Sequence, residues 1–330
     1  MVKQQAMLLQ LLLIPTAWAV VLRQSAQMSR PRPPTFEEFA LLHSTGPALW
    51  KWSNSLEVFE QHFAPLVDNK PRVAEVGEPL VQGSTEMWGA ALGSGSEVFP
   101  TNTIEELTSM MQSYNQTLNM SRDEEYKYHL DILAEGGVDS QQMLSVLKDG
   151  FSLLGEGGYF VAEELHGPAY VERFLQPAAD FLGKRFQMRE LASVHLYPYL
   201  MLARREGAHV APPRFEGSHE VVSNYTTLFS ALTRHLGGYV KLENEDWDPL
   251  LTTKQLHRAM TMFAALHDAY WHDTPTGCSQ TKVAVCRLAV NNSNMQSLIT
   301  GVHIFPTSMI VEVAGSPIEI EAVRRGTEWV

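Results

Sequence analysis

From Thr35 onward, apolar residues recur at helical spacing. Thr35 and Glu38 form a capping box, and Phe36, Phe39, Ala40 and Leu42 follow on one face. A second helical pattern runs from Leu56 to Leu66, with Val58, Phe59, His62 and Phe63 together, and ends near Pro65. Then the period shortens. Arg72-Val73-Ala74-Glu75-Val76-Gly77 is a short apolar strand entering a glycine turn, and Ser84 to Leu92 is helix-like. This is the first βα unit of an open α/β sheet, in which ligands bind beyond the carboxyl ends of the strands. Further strands are expected at Glu97–Thr101 (weakened by Pro100), Leu130–Ala134, Tyr159–Ala162 and Val194–Ala203. Helices are expected at Met143–Leu154 and Tyr170–Phe186. The alternation implies a mainly parallel, doubly wound sheet.

The chain then echoes itself. Gly157-Gly158-Tyr159 and Val194-His195-Leu196-Tyr197-Pro198 are matched by Gly237-Gly238-Tyr239 and Val302-His303-Ile304-Phe305-Pro306. Upstream, Glu135-Gly136 and Glu216-Gly217 precede the two double glycines at nearly equal distances. Three matches in the same order point to a partial duplication of the sheet's second half, with no second counterpart of Val73 to Leu92. The expected organisation is a segment 1–19 that serves as an address, a linker with helices over 20–70, an α/β domain over 71–206, and a partial repeat over 207–330.

The address reading rests on Lys3, the apolar run from Ala6 to Ile14 broken only by Gln10, and Ala17-Trp18-Ala19. That order is the layout of a cleavable signal peptide; an uncleaved anchor is the alternative, and no other apolar run is long enough to span a membrane. Sequons at Asn115, Asn119, Asn224 and Asn291 agree with export to the lumen of the secretory pathway or beyond. Cys278 and Cys286 could close a disulfide there or stay reduced. A net charge of -12 without a Lys/Arg cluster argues against a nucleic-acid groove and against an anionic membrane face. Assembly is left open, a homo-oligomer included.

The segment Phe59 to Gly77, with Glu75-Val76-Gly77, Gly83-Ser84 and Met87-Trp88 in order, resembles the metal-dependent macrolide-sugar O-methyltransferases of the class I, Rossmann-like methyltransferase superfamily. Glu135-Gly136-Gly137-Val138, Gly157-Gly158-Tyr159, Glu163-Glu164-Leu165-His166, Val302–Pro306 and Gly326-Thr327-Glu328-Trp329 continue the resemblance in sequence order. It implies that Glu75, Gly77, Gly83 and Ser84 hold S-adenosylmethionine. It also implies that Glu135, Glu163 and Glu164 hold Mg²⁺, a hard cation that takes oxygen ligands and can acidify a bound hydroxyl. The substrate class implied is a glycoside or glycan hydroxyl.

Several positions depart from that pattern. The acid that would hold the ribose is absent from the second strand, leaving Asn102 as the nearest polar contact. The expected histidine base falls at Val138, so the remaining candidate is His219 in the second copy, which serves only if that copy folds over the crevice. Glu243 falls on the first position of the acidic pair in that copy. Two function classes follow: an active lumenal O-methyltransferase, or a non-catalytic interaction protein that keeps the fold. Function lives in the site rather than in the fold.

Overall fold

A computed structural model describes residues 32–77, 82–117, 129–136, 139–165, 170–207, 217–232, 237–243, 299–316 and 320–327, with positions 215, 256, 257, 259 and 260. The expected address segment, Val138, Asn119, Asn291, both cysteines and the closing Glu328-Trp329 lie outside the described residues.

Helix α1 (Phe36–Leu42) carries the expected capping box: Glu38 N donates to Thr35 Oγ1, and Thr35 N donates to the Glu38 carboxylate. Strand β1 (Leu49–Trp52), which the apolar pattern did not reveal, leads directly into α2 (Ser53–Phe63). The first βα unit is β2 (Arg72–Val76) and α3 (Gln82–Ala91), followed by β3 (Glu97–Thr101), α4 (Ile104–Thr117), β4 (Leu130–Glu135), α5 (Ser140–Gly150) and β5 (Leu154–Leu165). Next come α6 (Gln176–Gln187), β6 (Leu191–Tyr197) and β7 (Tyr199–Arg205). The single strand expected over Val194–Ala203 is thus a hairpin. Pro198 cannot continue a ladder, and Tyr199 turns the chain with a φ of 64°. Strand β8 (Ser218–Val222), helix α7 (Tyr225–Leu232) and strands β9 (Gly238–Glu243), β10 (Ile299–Ile304), β11 (Ser308–Val313) and β12 (Ala322–Arg325) complete the described elements.

Ten strands form one sheet in the order β3-β2-β4-β5-β7-β6-β10-β11-β9-β8. β3, β2, β4 and β5 are parallel, whereas β7 runs antiparallel to both β5 and β6. Pro100 is tolerated because β3 is an edge strand. Beyond β6, the order β10-β11-β9-β8 mirrors β6-β7-β5-β4, including the parallel β8–β9 pair. The register makes the correspondence specific: Tyr159 lies opposite Arg204, and Tyr239 lies opposite Glu312. The two halves meet in the antiparallel β6–β10 pair, where His195 is directly opposite His303.

Within this register the match between Glu135-Gly136 and Glu216-Gly217 does not hold. Glu135 ends β4, whereas Gly217 precedes β8; the residue equivalent to Glu135 is Val222, since Glu135 pairs with Ala162 and Val222 with Leu242.

Side-chain alternation splits the core into two layers. Ala74, Val76, Leu133, Phe160 and Ala162 pack under α4, α5 and α6, and this layer continues beneath the second half. Val73, Ile132, Ala134, Tyr159 and Val161 pack under α1, α2 and α3, around Trp88, Phe36, Phe59 and Phe63. That second layer carries β1, and β1 is held to it by β12.

Candidate active site

The chain leaves β2 for β3 on one side and returns to β4 on the other, so the switch point of the sheet lies between β2 and β4. A crevice at the carboxyl ends of the strands is the expected ligand position there. Gly77 ends β2 with a φ of 147°, a conformation that L side chains rarely adopt, and its N–H donates to Thr101 O.

Two glutamates, Glu163 and Glu75, meet one ammonium beside this point, and a third, Glu164, lies next to them. Lys51 reaches in from β1 and is 4% exposed; its Nζ donates to both Glu163 oxygens at 2.8 Å and lies 4.0 Å from Glu75 Oε1. Glu75 Oε2 accepts from Thr85 Oγ1 at 3.0 Å, tying the end of β2 to helix α3. Glu164 Oε2 accepts from Trp52 Nε1 at 3.3 Å. Trp52 in turn stacks on Tyr199, with ring centroids 3.9 Å apart. Both Glu164 and Tyr199 have positive φ, so the backbone is turned at the two places that form this wall.

Burial alone would lower the Lys51 ammonium, but the charges of Glu163, Glu75 and Glu164 outweigh it and hold the amine above its ordinary value. Glu164 is pushed up to about 8, first by burial and then by the neighbouring Glu163 carboxylate. A carboxyl group with that value is matched to proton transfer near neutral pH.

The expected residues fare differently. Glu75, Glu163 and Glu164 come together. Glu135 is fully buried but belongs to the opposite face: it aligns with Val76 and Ala162, while Glu163 lies one residue further along β5. A one-residue step in a strand reverses the face, so the expected Glu135–Glu163–Glu164 set does not form. Gly83 is explained without a cofactor. A Cβ there would lie 2.5 Å from Ala48 O, and Gly83 N donates to that same oxygen, so its glycine makes room for the chain leading into β1. Ser84 is buried, and its Oγ finds no hydrogen-bond partner among the described residues. Asn102 is exposed beyond β3, with its N–H donating to Glu106 and its carbonyl accepting from Gln142.

His219 is not part of the site. It lies on the edge strand β8, six strands beyond β5, or roughly 29 Å at the usual spacing between strands, and it stacks on Tyr239. Lys51 and Trp52 are the functional candidates that periodicity missed. The run Leu49-Trp50-Lys51-Trp52 is only four residues long and carries its one charged residue on the buried face, so no alternation of apolar and polar positions marks it as a strand.

The residues do not fit Mg²⁺. Both Glu163 oxygens are taken by Lys51, Glu164 faces the Trp52 N–H, and no cluster of three metal-binding side chains occurs among the described residues.

A second polar cluster lies on the axis between the two halves. His195 Nδ1 and His303 Nδ1 are 2.9 Å apart; Ser193 Oγ lies 2.8 Å from His195 Nε2, and His303 Nε2 lies 2.9 Å from Glu312 Oε2. With Glu312 as a carboxylate, one direction satisfies every contact. His303 donates from Nε2 to Glu312, His195 donates from Nδ1 to His303, and Ser193 donates to His195. Glu312, Tyr197, Glu57 and Glu60 line a cleft of about 1000 Å³ at the outer end of this series.

No family model and no curated protein matches the chain. Among solved structures it is similar to the MycE methyltransferase from the mycinamycin biosynthetic pathway, in complex with Mg and SAH, at 14% identity over 48% of this chain and 52% of that one, with a TM-score of 0.36. The chain therefore spans about half the length of that protein. An O-methyltransferase from Bacillus cereus in complex with SAH is 15% identical over 57% of this chain and 99% of its own, with a TM-score of 0.31. TomG from Streptomyces achromogenes, an O-methyltransferase involved in tomaymycin synthesis and solved with SAM, is 11% identical over 57% and 96%, with a TM-score of 0.33. Superposition is loose in each case. The fold class, an open Rossmann-like α/β sheet with a parallel part and an antiparallel extension, rests on the strand order described above.

Proposed function

We propose that this chain is an S-adenosylmethionine-dependent O-methyltransferase that acts on a sugar or glycoside hydroxyl within the secretory pathway. The carrying observation is the meeting of Lys51, Glu75, Glu163 and Glu164 at the carboxyl ends of β2 and β5, beside the switch point. In this reading the methionine end of the cofactor lies against Gly77 and the buried Ser84, and the Trp52–Tyr199 stack offers an aromatic face to a sugar ring. Glu164, in its ionised form, takes the hydroxyl proton. S-adenosylmethionine, when bound, would supply the methyl group for that oxygen and keep the leaving electron pair on its sulfur.

Calorimetry with S-adenosylmethionine and S-adenosylhomocysteine, followed by label transfer to a panel of glycosides, tests the reading. Binding in the micromolar range that is lost in Gly77→Val supports it, since a branched side chain at that φ is strained. The competing reading, a non-catalytic interaction protein, is favoured by the distance of His219 and by exposed Asn102 standing where a ribose-binding acid is expected. Absence of cofactor binding by the mature chain decides for it.

A further inference from the structure

The acid cluster already contains a cation. Lys51 is delivered by a short ribbon fixed at several points: β1 pairs with β12, Lys51 lies opposite Val323, Ser53 N donates to Glu321 O, and Gly83 N donates to Ala48 O just before β1. Leu49 and Lys51 share the buried face of β1, so the alternation that packs Leu49 into the core also aims the amine at the ends of the sheet. Two N–H directions of the ammonium are used by Glu163. Glu75 at 4.0 Å is beyond hydrogen-bond distance, so the third direction makes no hydrogen bond among the described residues.

We propose that the Lys51 ammonium takes the place of a divalent cation, making this a metal-independent centre whose positive charge is built into β1. The amine is the positioning charge for the acceptor oxygen. Its pairing with Glu163 keeps the carboxylates from repelling one another, the task that a bound metal would otherwise perform. A divalent ion brought to the same acids would face the ammonium at close range and lose both Glu163 oxygens as ligands. The role in positioning an acceptor rests on the methyl-transfer reading above; the exclusion of metal does not.

The experiment is a Mn²⁺ titration of the full chain, read by electron paramagnetic resonance, with native circular dichroism as the control for folding. The wild type is expected to bind no Mn²⁺ at this site, so its isotherm matches that of Glu163→Gln. Lys51→Met, which keeps most of the length of the side chain and removes its charge, is expected to gain a Mn²⁺ site at least tenfold tighter than any residual binding by the wild type, competed by Mg²⁺ and lost again in Lys51→Met/Glu163→Gln. A wild-type site that disappears in Glu163→Gln overturns the proposal, and so does a folded Lys51→Met that gains none. If Lys51→Met does not fold, the comparison of wild type with Glu163→Gln still decides. Binding of S-adenosylhomocysteine, measured on the same samples, separates the two ideas: its absence removes the methyl-transfer reading and leaves the Mn²⁺ result standing.

Discussion

At the scale of single residues, two groups have proton affinities that burial has moved in opposite directions. Glu164 is raised to about 8, so below that pH its carboxyl is mostly protonated and cannot accept a hydroxyl proton. Methyl transfer is therefore expected to rise with pH through about 8, and Glu164→Gln to lower the rate about 10²–10⁴-fold and flatten the profile, as read from initial rates between pH 6 and 9. His62 moves the other way, to about 3, because burial and the nearby His303 and Arg204 disfavour its charged form. The unfolded chain thus binds a proton at His62 below the ordinary value of 6.5 that the folded chain refuses until about 3. The stability tied to neutral His62 is complete above 6.5 and is lost as pH falls toward 3, at about 1.4 kcal/mol per pH unit. Denaturant midpoints measured from pH 7 to 5 should fall in the wild type, and fall less steeply in His62→Gln.

At the scale of elements, what could be read from sequence and what could not follow from the length of each signal. The strands that carry Glu75 and Glu163 were legible because each apolar run borders glycine, Gly77 after the first and Gly157-Gly158 before the run Tyr159–Ala162. The hairpin of β6 and β7 was not, because Pro198 and the left-handed Tyr199 divide an unbroken apolar stretch. Glu135 was misplaced for a similar reason: counting along β4 gives the strand but not the register, and one residue changes the face. Gly83 was read as a cofactor glycine although its space is filled by Ala48 O, a contact made by a strand the pattern did not reveal. Gly301 carried no signal at all, yet a Cβ there would lie 2.8 Å from His303 Nε2 and 2.9 Å from Glu312 Oε2. Gly301→Ala is therefore expected to force that pair apart and cost about 1–3 kcal/mol, measured by chemical denaturation.

At the scale of the whole molecule, the double glycines and Val-His pairs that in sequence point to a partial repeat lie at β5, β6, β9 and β10, and their arrangement in the sheet was not legible. The sequence placed a second unit after the first; the strand pairing joins them edge to edge through His195 and His303, so that neither half ends in an exposed strand at the join. The last strand then crosses back. β12 lies far from β1 in sequence, yet it pairs with β1 and lies outside the ten-stranded sheet. The cluster at Lys51 therefore depends on the chain's own distal end, whereas the sheet does not. A chain ending at Ser316 lacks β12 but retains β10, β11 and the histidine pair. It is expected to fold with the main sheet intact and with β1 released, because β1 loses its backbone partners while Leu49 retains only part of its packing. Hydrogen exchange should then show protection at 49–52 reduced at least tenfold and protection at 299–313 unchanged. Equal loss in both segments would mean that β12 supports the whole sheet rather than the Lys51 ribbon. If protection at 49–52 persists, the buried Lys51–Glu163 pair alone is enough to hold β1 in place.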